Sequence, residues 1–213
     1  MTPYYDHGGI TIYHGDCREI LPTLGKFDLL LTDPPYGLGR VLQQGNRQRP
    51  GAWGGLYEAD GFDWDQQISD GLLPALQQAT DAVVWGGNYY PLPPARGWLI
   101  WDKIVRQFSS GHAELAWTTL DQPVRCFSYS HGQLANEGKR HPTQKPLPLM
   151  SWCLGFFPEA KTVVDPYMGS GPVAKACKDR GLQYVGIELV ERYCEIAVRR
   201  LAQEVMPGME ALP

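Results

Sequence analysis

The stretch VVDPYMGSGPVA, Val163 to Ala174, decides the fold. Two β-branched apolar residues run into an acid, then a glycine-rich turn, then a proline suited to the first turn of a helix. Glycines in such a turn let backbone approach a ligand closely, and the helix start supplies oriented N–H groups. The spacing is not G-x-G-x-x-G, and no GK[ST] follows, so a dinucleotide fingerprint and a phosphate loop are both disfavoured. One βαβ unit further on, 23 positions after Asp165, GIELVERY (Gly186–Tyr193) puts Glu188 at the tip of the next strand. An acid there is where ribose hydroxyls are bound in nucleotide-binding α/β folds, although Glu188 also suits the start of the following helix.

Working outward, the same grammar repeats. Ile10–Tyr13 alternates as a strand ending at Gly15-Asp16, with a helix expected over 18–24, so Asp16 fits a helix cap as well as a site. Phe27–Thr32 reads as a strand buried on both faces and runs into Asp33-Pro34-Pro35-Tyr36. A helix is expected over 68–79. Strands are expected at 82–85 and 98–101, and a strand pair at 114–118 and 124–129 joined by a turn at Asp121-Gln122-Pro123. Helices are expected from about 147 to 157, 172 to 179 and 191 to 204. Strands alternating with helices predict an α/β, doubly wound, mostly parallel sheet with its site at the carboxyl ends of the strands.

The 213 residues suffice for one domain with a full core, and no convincing boundary divides them. The chain is therefore read as a single domain over 1–213. Within it, 37–65 is glycine- and glutamine-rich without sustained period, as a binding loop would be. No apolar run approaches the ~18 residues of a membrane span, and the N-terminus lacks signal-peptide features. The five cysteines are scattered without metal spacing, so they read as reduced thiols in a cytoplasmic protein, with no metal site. A net charge of −4 excludes a globally basic nucleic-acid binder, so any such contact needs a local patch.

Four blocks in order carry a resemblance: DPPY at 33–36, HPTQKP at 141–146, DPYMGSG at 165–171 and GIE at 186–188. Together they resemble the DNA amino-methyltransferases, which use S-adenosylmethionine to methylate adenine N6 or cytosine N4. DPPY precedes the glycine-rich block, as in the permuted β group of that family. The resemblance implies a circularly permuted, seven-stranded, Rossmann-like methyltransferase sheet. It implies a cofactor pocket in which Asp165, Tyr167, Gly169, Ser170 and Gly171 hold the methionine part. His141, Thr143 and Lys145 lie nearby, with Thr143 and Lys145 at its carboxylate, Glu188 takes the ribose and Asp16 the adenine amino group. Pro172 departs from the threonine common there but keeps the helix start.

The catalytic residues implied are Asp33, Pro34, Pro35 and Tyr36. Asp33 and the Pro34 carbonyl would accept the two amino hydrogens of a base flipped out of duplex DNA, and Tyr36 would stack on its ring. An acid in the first position favours adenine N6. The chain lacks the large target-recognition region usual before HPTQKP. Phosphate contacts are therefore expected from Arg40, Arg47, Arg49, Lys103, Arg106, Lys139 and Arg140 on the same face. Short or relaxed sequence specificity, or reliance on a homodimer, is the expectation, and the compactness suits a restriction-modification or phage gene. Cytosine N4 or RNA as substrate, and a non-catalytic nucleic-acid-binding relative, are the alternatives.

Overall fold

The computed structural model describes residues 1–38, 65, 67–104, 111–130, 132–133 and 144–202. In chain order these form β1 (Tyr5–His7), β2 (Ile10–His14), α1 (Cys17–Ile20), β3 (Phe27–Thr32), α2 (Leu72–Gln77), β4 (Ala79–Trp85) and β5 (Trp98–Asp102). There follow β6 (Ala113–Thr118), β7 (Arg125–Ser128), α3 (Leu147–Leu154), β8 (Thr162–Asp165), α4 (Pro172–Asp179), β9 (Gln183–Glu188) and α5 (Glu191–Ala202).

All nine strands join one sheet in the order β1-β2-β9-β8-β3-β4-β6-β5-β7. The five strands from β2 to β4 in that order are mutually parallel. β1 and β6 oppose their neighbours. Seven strands were expected, and the described residues form nine. The two edges account for the difference. At one, Gly8 and Gly9, with φ of 60° and 80°, make the tight turn that folds β1 back onto β2. At the other, β7 is parallel to β5. The expected 114–118/124–129 pair does not form, because β5 lies between β6 and β7 and pairs with both.

LLLT of β3 sits at the middle of the sheet, which explains its unbroken apolar run. Leu29 and Leu31 point into one core with Val83, Trp85 and Val163, whereas Leu30 joins Ala82, Val84 and Val164 in the other. Helices α3, α4 and α5 cover the first face through Met150, Cys153, Val173, Cys177, Ala197 and Leu201. α1 and α2 cover the second through Cys17, Ile20, Leu72 and Ala75. Burial of both faces is what a parallel sheet requires. It also brings the carboxyl ends of β2, β9, β8, β3 and β4 to one rim. Among the described residues, no helix is long and apolar enough to cross a membrane.

Candidate active site

A cavity of about 500 Å³ opens along that rim. Its floor is the turn after β8 and the tip of β9. Asp165 is buried beneath it, accepting from the Thr32 hydroxyl at 2.7 Å, the Tyr167 N–H at 3.2 Å and the Tyr184 hydroxyl at 3.4 Å. Burial drives its carboxyl up to about 7 against the pull of those donors. Gly169 (φ 54°) and Gly171 (φ 73°) take left-handed conformations that suit glycine. A Cβ on Gly169 would project into open space, while one on Gly171 would meet Ala197 of α5 at 2.8 Å. Ser170 is buried and donates to Gln144 at 3.2 Å, and Arg200 grips the same oxygen at 2.7 Å.

The Glu188 carboxylate is held open by two backbone donors, Gly169 N–H and Val190 N–H, each at 2.8 Å. Burial raises its pKa. Each oxygen keeps a further lone-pair direction, the acceptor geometry a vicinal diol needs. Tyr167 lines the cavity wall, its hydroxyl 2.5 Å from Ser69 Oγ. Asp16 edges the cavity too, but its oxygens are engaged: it caps α1 through Arg18 N–H at 2.9 Å and pairs with the Arg18 guanidinium at 2.5 Å. That contact lowers its pKa.

The turn after β3 forms the other end of the cavity. Tyr36 donates its hydroxyl to Asp33 Oδ1, and Lys145 Nζ lies 2.5 Å from Asp33 Oδ2 and 3.1 Å from the Tyr36 hydroxyl. Burial pushes the Asp33 carboxyl up, with Lys145 opposing it. The Tyr36 ring stacks on Tyr89, centroids 5.0 Å apart and planes 24° off parallel. Gly86 supplies the room for that ring, since the three atoms nearest a Cβ there all belong to Tyr36. The Pro35 carbonyl is fixed by the Tyr90 hydroxyl at 2.5 Å.

Two expectations change. Lys145, expected at the cofactor carboxylate, is buried between two protein carboxylates, Asp33 and Glu114. Lys103, expected to contact phosphate, is 3% exposed, paired with Glu114 at 2.7 Å and packed over the Trp101 ring. An ammonium so placed is not presented to DNA, and that expectation is corrected. Arg40, Arg47, Arg49, Arg106, Lys139, Arg140, His141 and Thr143 lie outside the described residues. Residues that sequence reasoning missed include Glu114, Gly86, Tyr89 and Ser69. Ser69 and Glu114 stood within the expected helix over 68–79 and the expected strand over 114–118, and neither was read as part of a site.

Residues 64–199 match the sequence profile of the N6/N4 methyltransferase family, described as DNA methylase. The chain belongs to the N6/N4 DNA methylase family. It is similar to the type II methyltransferase M.ScaI of Streptomyces caespitosus, 23% identical over 95% of this chain and 84% of the relative. Its fold is similar to that of the PvuII cytosine-N4-specific DNA methyltransferase. There the TM-score is 0.63 at 18% identity, covering 96% of this chain and 90% of the other. It is likewise similar to M1.HpyAVI in complex with SAM, with TM-score 0.57, 22% identity and coverage of 90% and 100%.

Proposed function

We propose that this DNA methylase transfers a methyl group from S-adenosylmethionine to the exocyclic N6 of an adenine flipped out of duplex DNA. The observation that carries the reading is a carboxylate, Asp33, at the tip of the central strand, in the same cavity as the Glu188 carboxylate and the glycine turn. The cavity's donor set fits the cofactor. Glu188 suits the ribose hydroxyls, and Ser170 and the Gly169–Gly171 turn suit the methionine part. Asp165 acts from beneath by fixing the turn through the Tyr167 N–H. Asp16, locked by Arg18, serves the rim by holding α1 in place. Bound there, S-adenosylmethionine supplies an electrophilic methyl group on sulfur.

The chain's residues prepare the nucleophile. An aromatic amine delocalises its lone pair into the ring. Acceptors at its two hydrogens, Asp33 and the Pro34 carbonyl, favour a pyramidal nitrogen with the lone pair directed at the donor. Prolines 34 and 35 fix φ and keep that carbonyl in place. Orientation and a preorganised polar site supply most of the acceleration. A carboxyl raised by burial is a stronger proton acceptor than free aspartate, so Asp33 also suits the proton the amine releases.

Gly37 N–H donates to the buried Asp65 carboxylate at 2.8 Å, and Tyr36 bridges to Ile68, so Gly37 and Asp65 meet beside the acceptor turn. The reading takes 1–213 as one catalytic domain in which Arg40, Arg47 and Arg49 contact the DNA backbone. The chain order, acceptor turn before glycine turn, supports the circularly permuted arrangement. Nucleoside mass spectrometry of unmethylated duplex DNA incubated with enzyme and S-adenosylmethionine tests the reading. N6-methyladenine is expected, and N4-methylcytosine or methylated RNA alone would overturn it.

A further inference from the structure

Behind the acceptor turn lies a row of charges that leads to Asp33, and its other members have no part in the chemistry above. Lys103 Nζ is 2.7 Å from Glu114 Oε1, Lys145 Nζ is 3.1 Å from Glu114 Oε2, and Lys145 Nζ is 2.5 Å from Asp33 Oδ2. Both ammoniums are at most 4% exposed at the side chain, and both carboxylates are about a quarter exposed. Cations and anions therefore alternate along a line that ends on Asp33. Such a row is costly to bury, and a well-packed apolar set of similar size would serve stability as well or better.

The backbone is shaped to hold it. Lys103 follows β5 directly, and Glu114 pairs with Trp101 across the β5–β6 ladder. Lys103 N–H donates to the His112 carbonyl at 3.0 Å, closing the two strands just beyond that pair. The next residue, Ile104, has φ 64°, the only non-glycine with positive φ among the described residues. Its N–H is tied to the Asp102 carboxylate at 2.9 Å. Left-handed conformation in a β-branched residue is costly and is kept where surrounding structure imposes it.

We propose that Glu114 and Lys103 are positioning residues of methyl transfer: Glu114 anchors Lys145 against Asp33, and Lys103 balances Glu114, so that Asp33 stays ionised and aimed at the target amine. The inference rests on the reading of Asp33 as the amine's acceptor. Without Glu114, Lys145 would be drawn wholly onto Asp33 and would weaken it as an acceptor. Without Lys145, Asp33 would be left buried with no counter-charge. Sharing one ammonium between two carboxylates avoids both outcomes.

The row makes a signed prediction for the acid limb of the rate–pH profile, where transfer is lost as Asp33 takes a proton. Among the described residues, the charged and titratable groups around Asp33 are Tyr36 from its own turn, Lys145, Glu114 of β6 with Lys103 behind it, Asp165 of β8, Asp65 and Tyr90. Glu114→Gln removes a negative charge, so the limb should move to lower pH by roughly half a unit to one unit. The plateau rate should fall on the order of tenfold as Lys145 loses an anchor. Lys103→Met removes a positive charge and should move the limb to higher pH. The double variant restores the charge balance and should return the limb to the wild-type position.

The assay is single-turnover transfer of labelled methyl from saturating S-adenosylmethionine to amplified, unmethylated bacterial genomic DNA, with circular dichroism to confirm folding. If Glu114→Gln does not fold, Lys103→Met and the double variant still give the sign and the cancellation. Superimposable limbs, or shifts of one sign that do not cancel, would overturn the proposal. Asp33→Ala, run alongside, separates the two claims. Its transferring at the wild-type rate would sink the acceptor reading itself, whatever the limbs do.

Discussion

Gly86 offers a test of how tightly the acceptor turn is built. It has φ 67°, and a Cβ there would fall well under the 3.0 Å that such atoms keep from their neighbours, against Cε1, Cδ1 and Cζ of Tyr36. Gly86→Ala therefore has two consequences. The left-handed backbone costs about 1–2 kcal/mol for any residue with a Cβ. The clash adds displacement of the Tyr36 ring, whose hydroxyl bonds Asp33 and meets Lys145 at 3.1 Å. Moving that ring by about 1 Å should slow transfer on the order of a hundredfold. Gly181 is the matched control: its φ is also 67°, and nothing lies within 4 Å of a Cβ there. Gly181→Ala should lose the same ~1–2 kcal/mol, a fall in Tm of roughly 2–8 °C for a chain of this size, with transfer unchanged. Thermal unfolding and single-turnover methylation of both variants decide the matter. Gly86→Ala transferring at the rate of Gly181→Ala would refute the reasoning.

Other consequences follow from the cofactor end. Glu188→Gln should weaken S-adenosylmethionine binding by ~1.5–3 kcal/mol, about 10- to 150-fold in Kd. Titration calorimetry checks this, and transfer at saturating cofactor should change far less. Asp165 carries a pH signature. Its folded pKa stands at about 7 against 3.8 in the free side chain. Between those values the native state holds a proton the unfolded chain has released, so its contribution makes stability fall as pH rises from about 4 to 7. Asp165→Asn should remove that fall, by no more than about 4 kcal/mol, as read from denaturant unfolding of the cofactor-free protein across this range.

How much of this was legible in the sequence depended on range. The β3 and β8 runs were plain, because strands buried on both faces must be apolar throughout and their tips carry the acids. Local chemistry also explains two misses that the sequence could have avoided. Gly8-Gly9 is a hairpin signal, and it places β1. Pro74 forbids a helix beginning at 68, since its ring would clash with the carbonyl four residues back, and α2 indeed begins at Leu72. Its far end stops early because Ala79 is drawn into the ladder opposite Phe27.

Glu114 was not legible. Alone on a strand it reads as a solvent-facing charge, and its partners lie 11 and 31 positions away in the chain. Lys145 misled for the same reason: a lysine in a stiff basic turn announces a carboxylate partner but not which one. The partner is Asp33, 112 positions distant, brought to it only by the pairing of β3 with β8 and the crossing of the chain into α3. Long-range ion pairs are products of topology, whereas caps, turns and strand tips are written locally.

The central claim is that Asp33 holds the amine that is methylated. Its most direct test is methyl transfer to unmethylated duplex DNA by Asp33→Ala, measured beside S-adenosylmethionine binding by the same preparation. Transfer is expected at least a hundredfold below wild type, with cofactor affinity within a few-fold of it. Transfer at the wild-type rate by a variant that still binds cofactor would contradict it.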